Sequence, residues 1–300
     1  MPTISSEKWT NYKDLGNMWM RYACTPLKTK VSLSVTAERS GPKRSVMLHS
    51  IFFLGWIHSP KYTPEMILGD HLSEMMKKIF PQPFESYTRK LPKRTPFSCV
   101  LDMVVSWFGP DQKSEIWQKL RDIANVMSGK HRFTSSTICI SESGGRYYGA
   151  SMSCTGKKEG QIMIAVSCLC TWHYGVSNAV MTYKPDKNKR KNFDGTMKLQ
   201  EYVKCQASNV KSGEEIPPCK SCGNLFGLEK PSNQMWPYGN CAEAESLSKL
   251  LYGEEEIVKK VVPPVDCEMR EQVVKEVKAH LEEKLQESEF QWDSSYYIPQ

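Results

Sequence analysis

The sequence predicts an α/β protein, and three observations carry that prediction. Residues 111–130 place Ile116, Trp117, Leu120, Ile123, Ala124 and Met127 on one face at helical spacing. Residues 136–142 and 146–154 read as strands, and they meet through Gly144-Gly145, the composition of a hairpin turn. Residues 267–285 repeat Val273, Val274, Val277, Leu281 and Leu285 on one side of a long amphipathic helix.

The remaining elements follow in chain order. In the N-terminal third the apolar runs 46–57 and 97–107 read as strand-like, with residues 51–57 as a buried strand. Between them residues 66–79 form a helix with Ile67, Leu72, Met75, Met76 and Ile79 inward, and proline-containing connectors follow at 81–83 and 92–96. These elements make residues 1–109 an N-terminal α+β region, divided at Phe108-Gly109-Pro110 from a second region, residues 110–300. Residues 161–170 add a third β-rich run. Ala244, Leu247, Leu250 and Leu251 recur at helical spacing after Glu243, and Gly253 ends that helix. Residues 257–262 read as a strand that Pro263-Pro264 breaks.

Composition bounds the function. A chain of 300 residues with 40% hydrophobic content buries a sizeable core. Its first residues lack the features of a leader, and its longest apolar stretch, 51–57, is far too short to span a bilayer, so the expectation is a cytoplasmic or nuclear protein without a membrane partner. The 11 cysteines are odd in number, and Cys139, Cys154, Cys168 and Cys170 sit among apolar residues, which fits reduced thiols. Neither a phosphate-binding glycine loop nor a nucleophile elbow is present.

Chemistry concentrates in one stretch. Pro218-Cys219-Lys220-Ser221-Cys222 is followed by Tyr238-Gly239-Asn240-Cys241-Ala242-Glu243, which opens the apolar helix. Two sulfurs separated by two residues suit one zinc ion, and Cys241 at a helix start supplies a third ligand, leaving one position for water. Glu243, two residues after the third sulfur, is placed to act on such a water as acid and base.

These two motifs resemble those of the zinc-dependent cytidine deaminase superfamily, whose helix-opening His/Cys-Ala-Glu motif is paired with Pro-Cys-x-x-Cys; here the two halves stand in reverse order. The resemblance implies a mixed sheet flanked by helices. It also implies Zn2+ on Cys219, Cys222 and Cys241, with Glu243 as proton shuttle in the hydrolytic deamination of a cytosine- or adenine-type base, free or in a nucleotide or polynucleotide.

Other readings of the same residues stay open. If Cys267 fills the fourth zinc position, the site is closed and structural, and the protein is a non-catalytic interaction or nucleic-acid-binding module; a zinc-knuckle turn at Cys222-Gly223 would suit that case. Glu243 stands three residues after Asn240, a good N-cap, so it could merely complete a capping box. The net charge of +7 permits contact with RNA or single-stranded DNA, for which Lys187, Lys189, Arg190 and Lys191 are the candidate phosphate-contacting residues, against the plainer reading of a solvated loop.

Overall fold

A computed structural model of the chain describes residues 33–126, 133–154, 156–185 and 188–299. The sheet consists of β1 (Thr137–Glu142), β2 (Arg146–Ala150), β3 (Lys204–Asn209) and β4 (Glu215–Ile216). Their order is β2-β1-β3-β4 and every pairing is antiparallel, which corrects the expectation of a mixed sheet. The reason lies in the connections. β1 and β2 form the expected hairpin, with Ser143 N–H donating to the Gly145 carbonyl at 3.3 Å, and β3 returns against the other side of β1.

The expected N-terminal α+β region is helical throughout its described part, apart from a single bridge between Leu91 and Tyr296. It comprises α1 (Leu33–Trp56), α2 (Pro64–Leu68), α3 (Asp70–Ile79), α4 (Pro81–Ser86) and α5 (Pro96–Phe108). The run read as a buried strand is the end of α1. Met47, Leu48, Ile51, Phe52, Phe53 and Leu54 are all buried, and His49 and Ser50 with them, so the helix is buried all round there and shows no amphipathic period. The second run is α5, started by Thr95, whose hydroxyl accepts from Ser98 N–H, and by Pro96 in the first turn. The expected helix over 66–79 breaks at Gly69, where a φ of +78° forces a boundary between α2 and α3.

The second region follows with α6 (Lys113–Val126), α7 (Lys157–Val166) continued by a π-helical turn Ser167–Thr171, and α8 (Tyr174–Met181). After the sheet come α9 (Lys220–Phe226), α10 (Ala242–Gly253), α11 (Glu255–Val261) and α12 (Cys267–Gln286). Thus 161–170 and 257–262 are helical, not extended. In α11 the charges favour the helix, with Glu255 and Glu256 in the first turn and Lys259 and Lys260 in the last. No described helix is long and apolar enough to cross a membrane.

Helix α10 lies across one face of the sheet. Gly149 on β2 permits this approach, because a side-chain carbon there would overlap the backbone nitrogen of Ser246 and the carbonyl oxygen of Ala242. Small residues continue the contact: Cys139, Ala207 and Ala242 pack together, and Ser141 Oγ donates to Ser246 Oγ at 2.8 Å. On the opposite face Ile138, Ile140 and Tyr148 join the main core with α5 and α6.

A partly buried charge cluster ties α10 to the N-terminal helices. Arg94 pairs with Glu245 and, at 3.0 Å, with Asp102; Lys249 reaches Asp102 at 2.7 Å and Glu245 at 3.2 Å. Ser98 Oγ and Ala150 N–H also donate to Glu245. Burial works against both carboxylates, but Arg94 and Lys249 outweigh it and hold them below the ordinary carboxylate range.

Two predictions follow from this packing. Gly149→Ala places a carbon against rigid backbone, so it should cost about 3 kcal/mol or more of stability, read as a lowered urea midpoint. His49, fully buried and stacked on Tyr297 at 4.0 Å, has its pKa pushed down to about 3 by burial and by the Lys90 charge. An unfolded imidazole protonates near pH 6.5, so the unfolded chain takes up the proton first and the neutral histidine's stability is lost as pH falls from about 6.5 towards 3. Between pH 7 and 5 His49 alone should account for a loss of about 2 kcal/mol. Denaturation of His49→Phe at the two pH values should show a correspondingly smaller decrease than wild type.

Candidate metal centre

Two short helix starts converge to build the site. Cys219 is the N-cap of α9, and its sulfur accepts from Cys222 N–H at 3.4 Å. Cys222 sits in the first helical turn. The segment that follows is strapped back onto this helix start: Lys220 N–H donates to the Gln234 carbonyl and Ser232 N–H to the Pro218 carbonyl, both at 2.8 Å, and Ser221 Oγ donates to the Trp236 carbonyl. Tyr238 then stacks on Tyr183 at 3.9 Å. Gly239 has a φ of +85°, and a side-chain carbon there would lie 2.8 Å from Ile164 and 3.1 Å from Trp172, so only glycine allows the chain to turn into α10 at this point.

Cys241 is the N-cap of α10, and its position is fixed by Met152 N–H donating to the Asn240 carbonyl at 2.8 Å. The Cys219 sulfur lies 3.6 Å from that of Cys222 and 3.4 Å from that of Cys241. All three sulfurs fall within 4.8 Å of one another, a group that can hold a metal ion. Sulfurs bound at about 2.3 Å around a tetrahedral ion stand about 3.8 Å apart, so the spacing is close to what such an ion requires. Thiolate donors suit a soft or borderline ion, and the positive ends of two helices, with the Cys222 N–H on the Cys219 sulfur, favour their negative charge. Hydrogen bonds from the Cys222 and Cys241 thiols pull the Cys219 pKa down to about 2, and the same contacts, with burial, push those of Cys222 and Cys241 up.

Cys267 does not join this group; it is exposed at the start of α12. Glu243 does adjoin it. The carboxylate belongs to the first turn of α10 and its residue is only 4% exposed. Burial raises its pKa, and its own backbone N–H and the Cys222 thiol partly oppose the rise. The capping box is not formed, because the helix starts one residue later than Asn240 and Asn240 N–H is already donated to the Pro237 carbonyl at 3.0 Å.

Cys219, Cys241 and Glu243 line one cleft of about 490 Å³. Its walls come from Ser135 to Thr137 at the start of β1, Ser151 to Cys154 after β2, Ala207 of β3, Ile216 of the edge strand β4, and the half-exposed Trp236. Sequence reasoning found the thiols and the carboxylate but missed these walls. No spacing signals them, since pairing of β1 with β2 and the Met152–Asn240 hydrogen bond bring them together.

The basic run is distributed among different tasks. Lys187 lies outside the described residues. Arg190 is committed to the fold, donating to the carbonyls of Met181 and Lys184 and pairing with Glu276 at 2.5 Å. Lys189 is exposed and pairs with Asp194 at 2.6 Å, and Lys191 is exposed.

Comparison with models of known families, with curated proteins and with solved structures finds no match to this chain.

Proposed function

We propose that the protein is a zinc-dependent hydrolase that deaminates a cytosine- or adenine-type base. One observation carries this reading: a buried carboxylate and two members of the three-thiol group, Cys219 and Cys241, line a single cleft large enough for a nucleoside-sized ligand. Cys219, Cys222 and Cys241 would hold the ion. Zinc, when bound in an open three-ligand site, supplies Lewis-acid activation of water at neutral pH.

The chain's own residues do the rest. Glu243 would accept one proton from the attacking water and pass it to the ring nitrogen, then carry the second from the new hydroxyl to the departing amine, so that the C–N bond breaks, a carbonyl forms and ammonia leaves. Helix α10 holds the carboxylate at the rim beside Cys241. The Cys-Ala-Glu and Pro-Cys-x-x-Cys elements support the deaminase reading over other zinc hydrolases, because that superfamily draws its ligands and proton shuttle from these two elements. A base within RNA or single-stranded DNA is compatible with the open cleft, with exposed Lys189 and Lys191 as candidate phosphate contacts.

The test is ammonia release from cytidine, deoxycytidine, adenosine and single-stranded oligonucleotides, with zinc content measured in parallel. Glu243→Gln should keep its zinc and fold and lose about a thousandfold in turnover, whereas Cys219→Ser should lose the metal as well. Wild-type protein that is fully zinc-loaded and inert on every substrate would refute the proposal.

A further inference from the structure

A second cleft, of about 670 Å³, lies at the other end of α10 and shares no lining residue with the metal cleft. Tyr252, in the last turn of α10, is about 14 Å along the helix from Glu243. The aromatic wall of this cleft is built around His173. That ring is buried and lies 4.3 Å from Tyr174 and 5.1 Å from Tyr252, and the His173 backbone N–H donates to Ser248 Oγ at 2.8 Å, which ties the start of α8 to α10. The two tyrosines are held but not covered, Tyr174 being 48% exposed and Tyr252 65%. Held, exposed aromatic rings beside a cleft offer a surface on which a planar ring can stack.

The cationic wall comes from α11 and α12. Arg270, half-buried in the first turn of α12, reaches across to α8, where its Nε donates to the Oδ1 of buried Asn178 at 2.9 Å. Ser177, next to Asn178, lines the cleft together with Arg270, so this bond holds the guanidinium at the cleft's edge between the two helices. Its terminal nitrogens make no hydrogen bond or ion pair among the described residues. A guanidinium fixed through Nε presents those nitrogens as a fork, the geometry that takes a phosphate through two hydrogen bonds. Lys259 stands on the rim, paired with Glu256 at 2.8 Å and with Glu255 at 3.4 Å. Exposed pairs of this kind are worth little, and a phosphate can take the place of either carboxylate. Arg270 and Lys259 have Glu255 as the one carboxylate of the described lining, so this cleft favours an anion where the metal cleft does not.

We infer that this second cleft binds a nucleotide, with its phosphate on the Arg270 fork and Lys259 and its base stacked on the ring of Tyr252 beside Tyr174. A nucleotide joins the two features that the walls ask for, an anion and a planar ring, in one ligand of a size the cleft admits. The inference does not rest on the deaminase reading, because none of these residues belongs to the metal cleft. A free nucleotide and a nucleotide within a single strand present the same chemistry, and binding of each distinguishes the two sources.

The experiment titrates zinc-loaded full-length protein with uridine monophosphate and inosine monophosphate, whose bases carry no amine to be released. Uridine, inosine, inorganic phosphate and a hexathymidylate strand are titrated alongside, and hydrogen exchange locates each site. The better nucleotide should bind about tenfold more tightly than its nucleoside or inorganic phosphate, with slowed exchange in residues 168–177 and 251–259. Tyr252→Ala and Arg270→Lys should each weaken it about tenfold, with Tyr252→Phe close to wild type. Because Tyr252 is exposed, Tyr252→Ala should keep the wild-type melting temperature, which separates lost binding from lost folding. Binding of the strand alone, with the same footprint and weakened in the same variants, would support the site and identify nucleic acid as its source. Slowed exchange confined to residues 219–243, nucleotide binding unchanged in both variants, or no binding of either nucleotide or of the strand would overturn the inference. Ammonia release from cytidine and adenosine decides the deaminase reading separately from any of these results.

Discussion

The close approach of α10 to the sheet at Gly149 is the constraint on which the candidate site depends. Helix and strand touch through backbone there, because no side-chain carbon fits between Gly149 and the Ala242 to Ser246 turn. This contact sets the height of the helix above the sheet, and Ser141, Cys139 and Ala207 provide a surface of small side chains beneath it. The first turn, with Cys241 and Glu243, is thereby placed at the mouth of a cleft bounded by the ends of β1 and β2. Cys219 and Cys222 then need only be delivered to the same point, which the straps from residues 232 to 236 onto the start of α9 accomplish.

The helix also separates two carboxylates that stand two positions apart in sequence. Successive residues on an α-helix are turned by about 100°, so Glu243 and Glu245 face nearly opposite directions. Buried Glu245 meets the partly buried Arg94 and Lys249 and stays charged in a cluster that joins α10 to the N-terminal helices. Glu243 meets thiols and a cleft, with no cationic side chain to hold it in the charged form. One carboxylate is used in holding the structure together and the other has no such tie, a division set by surroundings. Arg190 shows the same principle on the outer side: a residue in a basic run that looked solvent-facing is bound to carbonyl groups and Glu276.

Much of this was legible in the chain itself. The helical patterns of α6, α10 and α12 depend on local periodicity, and Val273, Val277, Leu281 and Leu285 are buried as their spacing requires. The hairpin at Gly144-Gly145 depends on turn chemistry. The converging thiols are marked by residue type and spacing. The apolar runs were harder, because a helix buried on all sides has the same uniform pattern as a buried strand; Thr95-Pro96 ahead of α5 and the charge arrangement of α11 were the local signals that distinguish the two. The cleft walls and the Arg94–Glu245 pair had no sequence signal, since Arg94 and Glu245 are 151 positions apart and only the completed packing joins them.

The proposed metal centre is held by three sulfurs and is open at its fourth position. X-ray absorption at the zinc edge of the metal-loaded full-length protein reads this coordination directly. An open centre gives three sulfurs at about 2.3 Å and one oxygen or nitrogen at about 2.0 Å. Four sulfurs would mean that a further cysteine closes the site, and would overturn the open centre.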